Sequence, residues 1–252
     1  MSGLTAVSGL TAVSGRAAVS GGRLTVLLLP GIGGDAAEWG PVAARLDGRL
    51  DGRLCVEARG LPVGPDSVDG LAAAVAMPAG PVLLVGLSLG ALVGRALRGR
   101  PGVVGLVGLG ALPGPARRPR GLGAAARLVG ALPAGAGAAW MRRRVRARLR
   151  EEGVEDGLAA EILRGLPPPA VWAARLRAVA GWAPGPLPSG PPVWWWRGQV
   201  DREAPWSLAE AAADLPGARV ETVEGGHRAP LTHPGALAER ILQVAAGCGP
   251  TR

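Results

Sequence analysis

A chain of 252 residues can form one α/β domain with an inserted segment and a full apolar core. Lys, Phe, Tyr and Asn are absent, whereas Ala, Gly, Pro and Arg abound, the usage of a coding sequence rich in G and C. The formal charge of +9 therefore does not itself point to nucleic acid, and a chain without Phe or Tyr has little from which to build base-stacking platforms.

The charge is also local. Residues 112–189 hold thirteen Arg against five acids, while the rest of the chain holds fifteen against fourteen. No apolar run approaches the roughly eighteen residues of a membrane span, so no stable membrane insertion is expected. No basic region precedes an apolar core near Met1, which argues against a secretory signal. Two cysteines, Cys55 and Cys248, suit a reducing, cytoplasmic setting better than a disulfide framework.

Residues 2–21 repeat Ser-Gly-Leu-Thr-Ala-Val and a variant of it, and residues 1–22 read as a low-complexity arm. Buried strands and helices then alternate. Leu24–Leu29 is continuously apolar, as a strand covered on both faces should be. A helix is expected over Trp39–Leu46 with Pro41 in its first turn, a strand over Leu54–Ala58, and a helix over Val68–Ala76 capped by Asp66 or Ser67. Strands at Val82–Val85 and Val103–Leu109 flank a helix over Ala91–Leu97. The alternation stops at Leu112 for a helical, Pro- and Arg-rich stretch. It resumes with strand Val193–Trp196, helix Pro205–Ala213, strand Arg219–Val223 and helix Gly235–Ala245. Such alternation predicts a mostly parallel sheet covered on both faces. The core spans 23–112 and 189–247, and 113–188 forms an inserted helical lid.

Gly86-Leu87-Ser88-Leu89-Gly90 stands between a strand and a helix. Glycines on both sides of a serine allow a strained turn that lifts its hydroxyl off the sheet as a nucleophile. A serine hydroxyl needs a base, and the chain offers two histidines. His227 follows a strand in Glu224-Gly225-Gly226-His227, whereas His233 precedes Pro234 and suits a helix start, so His227 is favoured. The acid that orients it is expected to be Asp201, just past strand Val193–Trp196, with Glu203 and Glu224 as alternatives. Pro30-Gly31-Ile32-Gly33-Gly34 follows the first strand and can bring backbone N–H groups to an oxyanion. It lacks Gly-Lys-Ser/Thr, and no G-x-G-x-x-G precedes a helix, which disfavours nucleotide binding.

The order Ser88, Asp201, His227 is that of the α/β-hydrolase layout, and from Leu24 to about Ala246 the chain resembles that superfamily. Pro30 stands where many relatives carry His, which changes the support of the loop but leaves the N–H of Ile32 available, with the N–H of Leu89 as its partner. Overall length, a compact lid, the elbow and the ending His227-Arg228-Ala229-Pro230-Leu231-Thr232-His233-Pro234 are most similar to pimeloyl-carrier-protein methyl ester esterases of biotin synthesis.

That resemblance implies hydrolysis of a small or carrier-bound acyl ester without metal or organic cofactor. It also implies an acidic acyl carrier protein docked on lid arginines such as Arg142, Arg143 and Arg146. Within Trp140–Arg150, Met141, Val145 and Leu149 recur every fourth residue as one apolar stripe, with Arg on the other faces. Those arginines can equally be solvated, pair with Glu151, Glu152 and Glu155, or meet an anionic membrane surface. A thioesterase, a lactonase or a perhydrolase would use the same triad, and a catalytically silent binding protein would retain only the fold.

Overall fold

The computed structural model describes residues 23–49, 52–187 and 189–248; the hexad repeat lies outside them. Leu24–Leu29 (β1) is buried throughout and leads to a 3-10 turn, Ala36–Trp39, and helix α1, Gly40–Leu46. The single helix expected from Trp39 is thus a turn followed by a helix. Asp35 accepts the N–H of Ala37 and starts the turn early, and the helix begins again at Gly40-Pro41. Leu54–Ala58 (β2) and Val68–Ala74 (α2) follow. Ser67 caps α2, which stops two residues short of the expected Ala76. Val75 is already extended, three residues ahead of Pro78, and Arg100 takes the carbonyls of Ala72 and Val75.

Val82–Leu87 (β3) runs into Leu89–Leu97 (α3), which starts two residues earlier than Ala91, directly after Ser88. After Val103–Leu109 (β4) come four helices: Leu122–Ala131 (α4), Ala134–Glu151 (α5), Asp156–Arg164 (α6) and Pro169–Gly181 (α7). The sheet resumes with Val193–Gly198 (β5), then Leu208–Asp214 (α8), Arg219–Val223 (β6), the short Ala229–Thr232 (α9) and Pro234–Cys248 (α10). Helix α8 begins later than the expected Pro205 because Ser207 and Glu210 form a reciprocal capping box.

The six strands are all parallel in the order β2-β1-β3-β4-β5-β6. Alternate residues of the inner strands feed two apolar layers, as the two-residue strand repeat requires. Leu27, Leu29, Leu84 and Trp195 meet α2, α3 and α8 on one face. Val26, Leu28, Leu83, Trp194 and Trp196 meet α1 and α10 on the other. With no Phe or Tyr, β5 fills both layers with tryptophan, and glycine on β4 makes the room. A Cβ on Gly108, the register partner of Trp195, would overlap the indole ring.

The helices between β4 and β5 have smaller cores of their own. Met141 joins Ala126, Val129, Ala173 and Leu176, whereas Val145 and Leu149 join α6 and Leu231. Both stems of this segment are fixed to α3. Arg95 donates to the carbonyls of Pro113 at 2.9 Å and Gly185 at 2.8 Å and lies over the Trp182 ring, and Arg98 donates to Pro191 at 2.7 Å. Among the described residues, no helix is long and apolar enough to cross a membrane.

Candidate active site

Because β1 leads outward to β2 and the chain then crosses back to β3, the loops after β1 and β3 diverge at the carboxyl edge of the sheet. Such a switch point opens a crevice in parallel sheets. Ser88 stands there with φ 51° and ψ −116°, the only non-glycine residue with positive φ among those described. Its N–H donates to Leu109 O at 2.8 Å, which pins the turn to β4. A Cβ on Gly86 would overlap the Gly90 backbone, and one on Gly90 would overlap the Leu29 carbonyl. Gly90→Ala should therefore lower the unfolding free energy by about 3 kcal/mol, because a backbone carbonyl cannot step aside as a side chain can. Urea unfolding measures it, and an unchanged midpoint would remove the steric argument.

The loop after β1 is held from below and above. Below, the buried Glu38 carboxylate accepts the Gly31 N–H at 2.8 Å, and Trp39 Nε1 donates to Leu29 O at 3.0 Å. Burial pushes the Glu38 carboxyl above the usual range, against the pull of the Gly31 N–H and of Arg228 and His227. Above, Arg175 of α7, only 4% exposed, donates to Ile32 O at 2.8 Å, Gly34 O at 3.3 Å and Leu61 O at 3.0 Å. Trp172 covers the same loop: a Cβ on Gly33 would come within 2.6 Å of its ring. Among the described residues, neither the Ile32 nor the Leu89 N–H donates a hydrogen bond; Leu89 is the first residue of α3, whose N–H has no acceptor within the helix.

Asp201 and His227 meet across the loops after β5 and β6. These loops pass so closely that a Cβ on Gly198 would overlap the backbone of Gly225 and Gly226. Asp201, 2% exposed, accepts the N–H groups of Glu203 and Ala204 on Oδ1, while Oδ2 lies 3.0 Å from His227 Nδ1. Burial alone would raise the Asp201 pKa, but the His227 hydrogen bond and charge and the two backbone donors hold it below the usual carboxylate range. His227 is 7% exposed. Burial alone would lower its pKa, yet the Asp201 hydrogen bond and the charges of Glu203 and Asp201 together raise it above the ordinary imidazole value. With Asp201 ionised, Nδ1 carries the proton and Nε2 of the neutral ring is the acceptor.

The alternative acids fall elsewhere. Glu203 Oε2 is 3.7 Å from His227 Nε2, beyond hydrogen-bond reach, and Glu224 is exposed beside a surface groove near α10. Among the described residues no hydrogen bond joins Ser88 to His227; the half-buried hydroxyl shares the sheet edge with the pair. His233 bonds Thr232 and precedes α10.

Arg142 and Arg146 line a cleft of about 450 Å³ between α5 and α6 with Arg150 and Arg164, over a floor of Ala159 and Leu163 and beside one acid, Asp156. Arg143 does not line it. Of the three glutamates expected to pair along α5, Glu151 meets Arg148, whereas Glu152 turns to Arg228. Sequence reading misses Glu38, Trp172 and Arg175, takes Glu152 only as a partner of the α5 arginines, and gives Arg228 no role beyond its place next to His227.

The alpha/beta hydrolase family model matches residues 26–240, and the chain belongs to that family. The fold is shared with an esterase from Thermogutta terrifontis, with a TM-score of 0.75, 18% identity and coverage of 91% of this chain and 92% of that one. It is shared with the enol-lactonase from Burkholderia xenovorans LB400, with a TM-score of 0.67, 18% identity and 90% and 92% coverage. The type II thioesterase BorB of the borrelidin biosynthetic cluster gives a TM-score of 0.59, 22% identity and 88% and 92% coverage. No curated protein sequence matches the chain.

Proposed function

We propose that the protein is a serine hydrolase that cleaves a carboxylic ester through an acyl-enzyme. The observation that carries this reading is the strained Ser88 on the same sheet edge as the buried Asp201–His227 pair. Ser88 Oγ attacks the ester carbonyl as its proton passes to His227 Nε2, and Asp201 stabilises the imidazolium. The N–H groups of Ile32 and Leu89 bind the oxyanion. The intermediate collapses, and the alcohol leaves with the proton from His227. Water, deprotonated by His227, then frees Ser88 and releases the acid. Metal and organic cofactors have no part in this route. A cytoplasmic setting accords with two unpaired cysteines.

Turnover of p-nitrophenyl esters by wild type and Ser88→Ala, with fluorophosphonate labelling of Ser88, tests the reading; absence of both turnover and labelling would leave a binding protein of the same fold. Activity should rise with pH through a midpoint above the ordinary imidazole range, since His227 must be neutral to accept the proton and its partners favour the charged form. A kcat profile that is half-maximal below pH 6.5 would contradict that assignment.

The finer reading is a carrier-bound acyl methyl ester, as in pimeloyl-carrier-protein esterases. It is supported by the α5–α6 cleft, where four guanidinium groups face one carboxylate above an apolar floor. Such a field suits transient docking of an acidic carrier protein. Reversing Arg142, Arg146 and Arg150 to Glu should raise KM for a carrier-linked ester by about tenfold or more and spare a small free ester. Equal effects on both substrates would remove the carrier. The named esterase, enol-lactonase and thioesterase neighbours keep lactone and thioester substrates as alternatives, which a panel varying the leaving group separates.

A further inference from the structure

The shortest tie of Glu203 toward α5 runs through one side chain. Arg228, the residue after the base, points its Nη1 at Glu203 Oε1, 2.6 Å away, and at Glu152 Oε1, 3.0 Å away. The other oxygen of Glu152, at the end of α5, accepts the Arg228 N–H at 2.7 Å and is packed so tightly on Gly226 that a Cβ there would collide with it. Arg148 of α5 stands 4.0 Å from Glu203 on the same side. The Arg228 side chain is only 14% exposed, and its pKa is raised: burial opposes the charge, but Glu203, Glu152 and Glu38 outweigh it. A guanidinium fork fixed by two carboxylates is well suited to set the position of either one.

The other oxygen of Glu203, Oε2, is 3.7 Å from His227 Nε2, the atom that must take the proton of Ser88. A carboxylate that closed that gap would accept a hydrogen bond from Nε2–H while Asp201 holds Nδ1–H. The imidazolium would then lie between two carboxylates, without a lone pair for serine. We propose, on the reading of His227 as the base, that Arg228 is a positioning residue acting through Glu203: it holds that carboxylate toward the lid, out of hydrogen-bond reach of Nε2, and so keeps the base open to Ser88. Glu152 is the lid's share of the device, since it anchors the same guanidinium. The charged groups acting on the imidazole are Asp201, Glu203 and Arg228, with Glu38 from the 3-10 turn; Arg148 and Glu152 act from α5 on Glu203 and Arg228.

The test combines Arg228→Gln, Glu203→Gln and the double variant, each followed by the pH profile of ester turnover and by NMR titration of the His227 ring, with His233→Asn for assignment. Arg228→Gln should lower turnover at neutral pH by roughly tenfold or more and move both the acid limb and the ring titration to higher pH. Glu203→Gln alone should move both to lower pH. The double variant should recover most of the lost turnover, since no carboxylate remains to capture Nε2. A double variant as slow as Arg228→Gln would overturn the proposal, because Arg228 would then not act through Glu203. If Arg228→Gln does not fold, Arg228→Lys, which keeps the charge but not the two-armed fork, decides: an upward move of the ring titration supports the device and an unchanged one overturns it. Should the wild type neither hydrolyse nor label, the esterase reading fails by itself, and the ring titrations still decide whether Arg228 restrains Glu203.

Discussion

Ser88→Gly is expected to abolish ester turnover and, relative to Ser88→Ala, to make the protein more stable. Both variants lack the hydroxyl, so both should lose at least about a thousandfold in kcat, the scale seen when a nucleophile is removed from a working triad. They differ in backbone. At φ 51° and ψ −116° an L-residue stores about 1–3 kcal/mol, which alanine keeps and glycine releases. Glycine loses roughly 0.4–1 kcal/mol through the greater freedom of its unfolded chain, so a net gain of about 1 kcal/mol should remain. For a chain of this size that is about 2–4 °C in Tm. Equal melting temperatures for the two variants would mean that the turn holds no strain to release.

The second large effect is expected at Arg175. Methionine there keeps much of the buried volume but withdraws the donors that meet the carbonyls of Ile32, Gly34 and Leu61. Unmet buried acceptors cost about 1–3 kcal/mol each, and relaxation of the loop recovers part of that, so about 3 kcal/mol of stability should be lost. The kinetic loss follows from aim. With the carbonyls of Ile32 and Gly34 released, the loop can shift on the C-terminal side of Ile32, and the Ile32 N–H, in the preceding peptide, loses its aim at the place where charge would develop; one misplaced oxyanion donor is worth about a hundredfold in kcat. KM and the acid limb of the pH profile should change little, because Arg175 is not among the groups that shift His227. Wild-type kcat in Arg175→Met would show that the loop is fixed without Arg175.

Why the first pattern was readable and this clamp was not is a matter of range. Strand β1 announces itself in six consecutive residues, and the elbow in five, because two-sided burial and a strained turn are local demands. The capping box of α8 was equally local: Ser207 and Glu210 are three residues apart and mark the helix start that Pro205 obscured. Arg175 is different. It is one of thirteen arginines between residues 112 and 189, and only the folded chain shows that it is buried on three carbonyls of distant loops. Glu38, just ahead of the helix expected from Trp39, likewise carries no local mark in the sequence, and only the fold buries it beneath Gly31. Glu203 could be counted among the acids near the base, but which ring nitrogen it faces depends on how two loops from β5 and β6 cross.

The bonds that fasten the stems of the helical segment between β4 and β5 have a bearing on how such a protein can change over time. Arg95 and Arg98 grip the carbonyls of Pro113, Gly185 and Pro191, and a peptide carbonyl is present whatever side chain occupies the position. The stems are therefore largely indifferent to the sequence of the segment they carry, whereas Trp172 and Arg175 of α7 and Glu152 after α5 tie that segment to the core through their side chains. Other helices with stems of similar length could be grafted onto the same sheet, leaving the elbow at the front end of α3 undisturbed, provided that they supply a donor in the place of Arg175. On the proposed reading, substrate range could then diversify by exchange of a module that keeps that one clamp.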